Sequence, residues 1–308
     1  MIPLADLHRH LEGSIRPATA SELAARAGIS KPPGHWRSAL VAADREGGLL
    51  PYLAKIENAT ALVRTLDDWR RVTAEAVTDA YRDGVTALEL RFSPQFIAGM
   101  TGLDADDVIE AVSEAVSGSA LPVEAGLIGI IVRDEGPDSA LAQVRRLLRH
   151  RGALVGVDLA GDEAGYPAAL FAPAFRLARE AGLPATVHAG EAAGPGSVWD
   201  ALHLGPRRIG HGVRSAEDPR FLEHLAASGV TLEVAITSNV QTGAARSRSQ
   251  HQLAALAAAG VRVALCTDNP TVSGTRLTRE YEIARDLVDA AALDNIRRNA
   301  LAARFTTT

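Results

Sequence analysis

Short apolar segments alternate with longer amphipathic ones along most of the chain. The short segments are rich in aliphatic and β-branched residues, which indicates buried strands, and the longer ones place apolar residues at helical spacing. The pattern predicts strands at 2–8, 86–93, 122–132, 152–161, 184–191, 207–212, 231–238 and 261–268. It predicts helices at 65–84, 104–118, 137–150, 167–182, 219–229, 249–260 and 276–290.

Strands that alternate with helices predict a parallel sheet with right-handed crossovers. Eight such units in 308 residues match the size of an α/β protein with a (β/α)₈ (TIM) barrel. A doubly wound sheet is the alternative, but no G-x-G-x-x-G follows the first strand. We therefore predict one barrel domain over residues 1–308. The stretch from about 17 to 64 exceeds one crossover helix and is broken by "KPPGHW" (31–36), which predicts inserted helices that form a lid.

Composition narrows the class of partner. The net charge of −5 provides no basic field for nucleic acid, and the longest apolar run (125–132) is far too short to cross a membrane. The single cysteine, Cys266, excludes an internal disulfide and a cysteine-cluster metal site. No signal-peptide pattern is apparent at the N-terminus. We expect a cytoplasmic protein that acts on a small molecule and binds neither nucleic acid nor a membrane. Whether it forms a homo-oligomer is left open.

The ends of the predicted strands are crowded with polar groups, and in a (β/α)₈ barrel the catalytic residues lie at the C-terminal strand ends. His8 and His10 follow the first strand, and residues two apart on a strand face the same side. His188 and Asp268 follow the fifth and eighth strands. Three imidazoles and one carboxylate favour zinc over magnesium or calcium. Zinc with an open coordination position lowers the pKa of bound water toward neutrality.

Glu191 and His211 end two further strands and remain as acid–base candidates near the same mouth. Taken singly, each polar residue has a structural interpretation, such as a turn-capping role for Asp268. Taken together, so many polar strand ends favour a site. The remaining polar groups of this kind are assigned to surface, packing or helix-start roles: His35, His150, His203, His224, His251, Asp162 and Glu163.

The order of several short segments resembles that of the adenosine deaminase family. The resemblance extends from residue 6 to about 290, and it implies a zinc-bearing (β/α)₈ barrel that hydrolyses the 6-amino group of an adenine ring. The segments are "LHRHLEGS" (7–14), "ELRFSPQ" (89–95), "GVDLAGDE" (156–163), "HAGE" (188–191), "RIGHG" (208–212), "TSNVQTG" (237–243) and "CTDNP" (266–270).

The family resemblance also implies roles for individual residues. One Zn²⁺ per chain would be held by His8, His10, His188 and Asp268. Glu191 would protonate ring N1, which requires a raised pKa, and His211 would help to activate and orient the water, whose proton Asp268 or His211 would take. Gly161 would contact purine N3 through its backbone. In "LLPYLAKI" (49–56), the implied lining of an apolar gate is Leu50, Tyr52, Leu53 and Ile56.

Two positions depart from the pattern of adenosine-specific members. Glu12 stands where those members usually have an aspartate at the sugar end, and adenine and aminodeoxyfutalosine deaminases often have a glutamate there. Asn269 replaces the second aspartate of the "TDD" motif, beside purine N7. The substrate is therefore left open among adenosine, a 5′-modified adenosine such as aminodeoxyfutalosine, free adenine and another aminated heterocycle. The complete ligand set, with Glu191 and His211, disfavours a non-catalytic binding protein on the same barrel.

Overall fold

The strands form the predicted (β/α)₈ barrel, in a computed structural model that describes residues 2–30 and 36–306. Each strand pairs in parallel with the next within two four-stranded sheets. The first sheet contains β1 (Leu4–His10), β2 (Val85–Phe92), β3 (Glu124–Val132) and β4 (Gly156–Ala160). The second contains β5 (Thr186–Ala189), β6 (Arg208–His211), β7 (Thr231–Val234) and β8 (Arg262–Leu265).

Two seams join the sheets into a closed ring. At the first seam, Val157 pairs with Ala185 in a single parallel bridge. At the second, Arg9 pairs with Asp268, and hydrogen bonds of 2.7 Å run from His10 N–H to Asp268 O and from Asp268 N–H to His8 O. The second seam therefore lies where the predicted metal ligands of β1 meet the end of β8.

The interior of the barrel contains a buried network of ion pairs. Arg91 Nη1 lies 2.8 Å from Asp158 Oδ2, and Arg91 Nη2 lies 2.8 Å from Glu233 Oε2. Arg208 Nε lies 2.6 Å from Glu233 Oε1, and Arg208 Nη2 lies 2.5 Å from Glu89 Oε2. A buried charge is tolerated when it is paired and hydrogen-bonded, and each of these charges has such a partner. The network places two carboxylates, Asp158 and Glu233, directly beneath the predicted metal ligands.

Helices surround the strands, and the insertion predicted after β1 is helical in the residues that the structure describes. Residues 31–35 of the predicted break lie outside the described residues. Among the described residues, no helix combines the length and apolar character needed to cross a membrane. The inserted helices are α1 (Pro17–Arg26), α2 (Trp36–Leu40) and α3 (Leu49–Thr60). The others are α4 (Leu66–Arg82), α5 (Pro94–Thr101), α6 (Ala105–Ser117), α7 (Gly136–Arg149), α8 (Ala172–Glu180), α9 (Pro195–Leu202), α10 (Pro219–Ser228), α11 (Ile236–Gln241), α12 (Leu253–Ala258), α13 (Pro270–Ser273), α14 (Leu277–Ala284) and α15 (Ala290–Ala302).

Some predicted boundaries were wrong. The strand predicted at 231–238 ends at Val234, and its polar end belongs to helix α11 instead. The helix predicted at 276–290 ends at Ala284. A separate helix, α15, then begins after Asp289, whose carboxylate accepts a hydrogen bond from Ala292 N–H as an N-cap. Capping by this aspartate favours a new helix start over continuation of the old one.

Candidate active site

A cavity of about 410 Å³ opens at the C-terminal rim of the barrel. Its volume falls within the range of small-molecule sites. All but one of the predicted site residues line it, and the exception, His8, is fully buried at the cavity floor. A more open groove of about 560 Å³, beside Arg9 and Asp83, includes none of them. The predicted residues in the cavity wall are His10, Glu12, Leu50, Tyr52, Leu53, Ile56, Gly161, His188, Glu191, His211, Asp268 and Asn269.

The four predicted metal ligands converge at the floor of this cavity. The Nε2 atom of His10 lies 3.2 Å from His8 Nε2 and 3.3 Å from His188 Nε2. Asp268 Oδ1 lies 3.2 Å from His8 Nε2 and 3.3 Å from His10 Nε2. His211 is also close, since ligand atoms of His8, His188, His211 and Asp268 all lie within 4.8 Å of one another. These nitrogen and oxygen donors are suited to a divalent cation, and zinc accepts this donor set.

Buried carboxylates orient two of the imidazoles. His8 Nδ1 lies 2.8 Å from Glu233 Oε2, and His188 Nδ1 lies 3.1 Å from Asp158 Oδ1. Arg91 holds both carboxylates ionised, so each can only accept, and the Nδ1 atoms carry the protons. The Nε2 lone pairs of His8 and His188 therefore face the cluster, as metal ligation requires. Sequence reasoning missed Glu233 and Asp158 as supports of the site.

The electrostatics keep most of the imidazoles available as ligands. Burial lowers the pKa of His10, His188 and His211 below its ordinary value, so these rings are neutral at neutral pH. The pKa of His8 is raised instead, because its contacts with Asp268 and Glu233 favour the charged ring more than burial and Arg91 oppose it, and a bound cation would displace the Nε2 proton of that form. Burial raises the pKa of Asp268, but the His8 hydrogen bond and the nearby histidines hold it well below the usual range. Asp268 is therefore a carboxylate that can ligate a cation.

Glu191 is a buried carboxyl group in the cavity wall. Its Oε2 atom lies 3.4 Å from His211 Nε2. Burial raises its pKa well above the usual range, and the charges of Asp268 and Glu163 raise it further. Such a side chain carries a proton under conditions in which an exposed glutamate has lost it. It can donate that proton to a ligand in the cavity.

Glu163 supports the segment that carries Glu191, a contact that the sequence interpretation missed. Its buried carboxylate accepts backbone N–H bonds from Gly190 at 2.5 Å, Glu191 at 3.0 Å, Ala192 at 2.6 Å and Ala193 at 3.2 Å. Successive N–H groups that face one anion fix the path of a loop. Glu163 is therefore a structural anchor, and not the solvated charge at a helix start that its position suggested.

Replacing Glu163 by glutamine is expected to destabilise the protein by about 3 kcal/mol, because an amide N–H₂ then faces N–H donors at one of the two oxygen positions and the hydrogen bonds at the other oxygen lose their charge assistance. Urea unfolding at neutral pH measures the change. Asp162→Asn is the matched control, since the neighbouring Asp162 accepts one N–H bond, from Gly165 at 3.0 Å. Equal stability of the two variants would contradict the anchoring role of Glu163.

His211 and Asp268 share an uncommon backbone conformation. Among the described residues, they are the non-glycine positions with positive φ, at 62° and 59°. The left-handed region costs a residue with a side chain roughly 1–2 kcal/mol, and such strain concentrates at functional sites. Both residues lie where a barrel strand ends. The turn this conformation produces leaves both side chains in the cavity wall.

Two polar atoms in the cavity wall are unpaired among the described residues. Glu12 Oε1 accepts a hydrogen bond from Ser93 N–H at 2.7 Å, but Glu12 Oε2 is buried without a partner. Asn269 Oδ1 is also buried without one, and a Cβ atom on Gly13 would lie 1.9 Å from it. Buried polar groups usually have partners, so Glu12 Oε2 marks a place where a polar ligand is expected, whereas Asn269 Oδ1 is packed against Gly13. Both belong to the residues that depart from the family pattern.

Gly161 and helix α3 form further parts of the cavity wall. Gly161 has φ of +116°, and a Cβ atom there would lie 1.9 Å from Asp134 Oδ2, so only glycine fits. Tyr52 is buried, and its hydroxyl lies 2.7 Å from Ser273 Oγ. Leu50 lies at the rim with 63% of its surface exposed. The segment predicted as a gate therefore forms one side of the cavity mouth.

Comparisons with known proteins agree with this geometry. The profile of the family described as adenosine deaminase matches residues 3–308. An adenosine deaminase of Klebsiella pneumoniae is 42% identical over 289 residues, which cover 92% of this chain and 87% of that protein. The adenine deaminase of Arthrobacter aurescens has a TM-score of 0.92 at 28% identity, covering 99% of this chain and 94% of its own. The N6-methyl-AMP deaminase of Arabidopsis thaliana has a TM-score of 0.84 at 27% identity, and the match covers 99% of this chain and 92% of that one.

Proposed function

Because this chain belongs to the adenosine deaminase family and is therefore a hydrolytic deaminase, we propose that its substrate is an adenine-containing nucleoside, either adenosine or a 5′-modified adenosine such as aminodeoxyfutalosine. The reaction removes the 6-amino group in a zinc-dependent step and gives the 6-oxopurine and ammonia. The observation that carries the proposal is a buried acid, Glu191, beside a cluster of histidines and Asp268 in one cavity. We expect the enzyme to act in the cytoplasm.

The proposed zinc ligands are His8, His10, His188 and Asp268, with one ion per chain. Their donor atoms fit the group, because lone pairs of His8 and His188 already face inward and Asp268 is ionised. Zinc held there supplies Lewis acidity that lowers the pKa of a water molecule toward neutrality.

The side chains account for the proton movements of the reaction. Glu191 donates its proton to ring N1, which makes C6 electron-poor enough for a water oxygen to bond to it. Asp268 takes one proton from that water and delivers it to the amino group, which leaves as ammonia when the C6–N bond breaks. The second water proton returns to Glu191 as the 6-oxo group forms. All atoms balance, and Glu191 ends in its starting state.

A substrate panel tests the proposal. Adenosine, two 5′-substituted adenosines and free adenine are each incubated with the enzyme, and the loss of ultraviolet absorbance near the adenine maximum is followed. We expect the highest kcat/KM with a nucleoside. If no adenine compound is deaminated while another aminated ring is, the adenine assignment is wrong.

Free adenine deamination is the second candidate function. Glu12 favours it, because adenine deaminases of the family often have a glutamate at this position. A solved structure that resembles this chain over nearly its whole length is also described as an adenine deaminase. In the same panel, a higher kcat/KM for adenine than for every nucleoside would favour this alternative.

Changing Glu12 to aspartate is expected to shift the preference among adenine, adenosine and 5′-substituted adenosines while leaving the metal content unchanged. The carboxylate that carries the unpaired Oε2 atom would withdraw by one methylene, so a group bound at the distal end of the substrate loses its partner. The ratio of kcat/KM values across the panel measures the shift. Identical specificity profiles for the two proteins would place Glu12 outside the substrate site.

Changing Asn269 to aspartate is expected to raise the turnover of adenine compounds roughly ten- to thirty-fold. Asparagine donates a neutral N–H to purine N7 at any pH. An aspartate that shares a proton with N7 makes a charge-assisted hydrogen bond that is roughly twice as strong and strengthens as charge develops, a gain of about 1.4–2 kcal/mol. Steady-state kinetics with adenosine and 7-deazaadenosine measure the effect. Equal kcat/KM values of the wild-type enzyme for the two compounds would contradict a hydrogen bond between Asn269 and N7.

A further inference from the structure

A chain of hydrogen bonds leads from the cluster into the wall behind it. His211 Nδ1 lies 2.9 Å from the side-chain nitrogen of Asn239, and Asn239 Oδ1 lies 3.2 Å from His251 Nε2. His251 Nδ1 then accepts a hydrogen bond from the backbone N–H of Leu253 at 3.0 Å. All three side chains are buried, so water does not compete for these contacts.

The hydrogen bond from Leu253 determines which group donates and which accepts in the other two. A backbone N–H can only donate, so His251 Nδ1 must be the unprotonated ring nitrogen and the His251 proton lies on Nε2. That Nε2–H donates to Asn239 Oδ1, which leaves the Asn239 amide N–H₂ facing His211. The amide therefore donates to His211 Nδ1, and neutral His211 carries its proton on Nε2.

His251 is suited to this arrangement. Burial lowers its pKa to about 4, so the ring stays neutral at physiological pH and keeps one donor and one acceptor. The sequence assigned His251 only to packing or the surface. His251 donates one hydrogen bond to Asn239 and accepts one from Leu253, and a residue that only packs would need neither.

We propose that Asn239 and His251 are positioning residues that hold His211 in the Nε2–H tautomer, with that N–H facing Glu191 and the reacting groups. The inference deepens the proposed function and rests on it for its catalytic meaning. The proposed tautomer of His211 differs from that of His8 and His188. His8 and His188 donate through Nδ1 to carboxylates and present lone pairs, whereas His211 accepts at Nδ1 and presents a proton.

Two consequences follow for the chemistry. A ring nitrogen that carries a proton cannot ligate a cation, so His211 is excluded from the metal set although it lies within reach of it. Neutral His211 also has no lone pair on Nε2 with which to take a proton from water. It orients the attacking oxygen by donating to it, and Asp268 remains as the base.

Nuclear magnetic resonance of the zinc-loaded enzyme tests the tautomer directly. The protein is labelled with ¹⁵N at histidine, and the two ring nitrogens of His211 are distinguished by their chemical shifts and their couplings to ring protons. We expect Nε2 to be protonated and Nδ1 unprotonated. The reverse pattern would overturn the proposal whatever the substrate proves to be, so its failure is distinct from a failure of the proposed function.

Variants test the link to turnover. Asn239→Asp presents an acceptor to His211 Nδ1 and should invert the tautomer, which lowers kcat by about 10²- to 10⁴-fold while KM changes less than about threefold. His251→Leu frees the Asn239 amide to turn and should give mixed tautomers with an intermediate loss of kcat. His251→Gln supplies a donor and an acceptor and should restore most of the activity.

An exposed histidine provides the control. His224→Leu, on the outer face of α10, should leave the His211 signals and kcat unchanged. If Asn239→Asp does not fold, His251→Leu and the wild-type spectrum still decide the outcome. Full activity with an unaltered His211 tautomer in His251→Leu would overturn the positioning role of His251.

Discussion

Asp268→Ala is expected to yield a folded protein with almost no bound metal and no measurable deaminase activity. The carboxylate supplies the anionic donor of the cluster, and it is also the proposed base for the attacking water. The barrel should persist because its apolar core surrounds the strands away from this site. Metal analysis after dialysis, with circular dichroism and the absorbance assay, measures all three properties.

Two further variants make that result interpretable. Asparagine tolerates positive φ better than alanine, so Asp268→Asn removes the charge with less backbone strain at φ of 59°. His203→Ala, at an exposed histidine that follows the last residue of α9, should keep its metal and its activity. Normal metal content in both Asp268 variants would refute the ligand assignment.

Glu191→Gln is expected to lower kcat by about 10²- to 10⁴-fold while the bound metal is unchanged. Glutamine preserves the shape of the side chain and its hydrogen-bonding capacity, but it has no proton to transfer to ring N1. Steady-state kinetics on the best substrate and elemental analysis of the same sample measure the two effects. Retention of most of the wild-type kcat would show that another group protonates the ring.

The cluster was predictable because its members follow a periodic rule. His8 and His10 are two apart on a strand, and the ends of parallel barrel strands meet at one rim, so strand pattern alone brings distant residues together. The supporting contacts follow no such rule. Glu163 reaches a loop 27 to 30 positions later through backbone N–H groups, and this depends on the loop conformation rather than on residue type.

The hydrogen bond between Asn239 and His251 was missed for the same reason, since it too depends on loop conformation. The two residues are separated by 12 positions across a helix end and a 3-10 turn, and neither hydrophobic pattern nor residue type indicates that they meet. Helices α5 and α9 were missed for a different reason. Both are eight residues long, which is too short to show a clear helical period, although each begins with a proline at its first position.

The seam between β8 and β1 gives the proposed metal a second consequence. His8 and His10 belong to one four-stranded sheet, whereas His188 and Asp268 lie in or just beyond the other, so a shared ion would tie two half-barrels together. Ion affinity and ring closure are then coupled equilibria, and each favours the other. Chelation should raise the hydrogen-exchange rate of the His10 and Asp268 amides, which donate across the seam, more than that of amides between β2 and β3. Ion loss would thus open the ring along one line before the sheets themselves unfold.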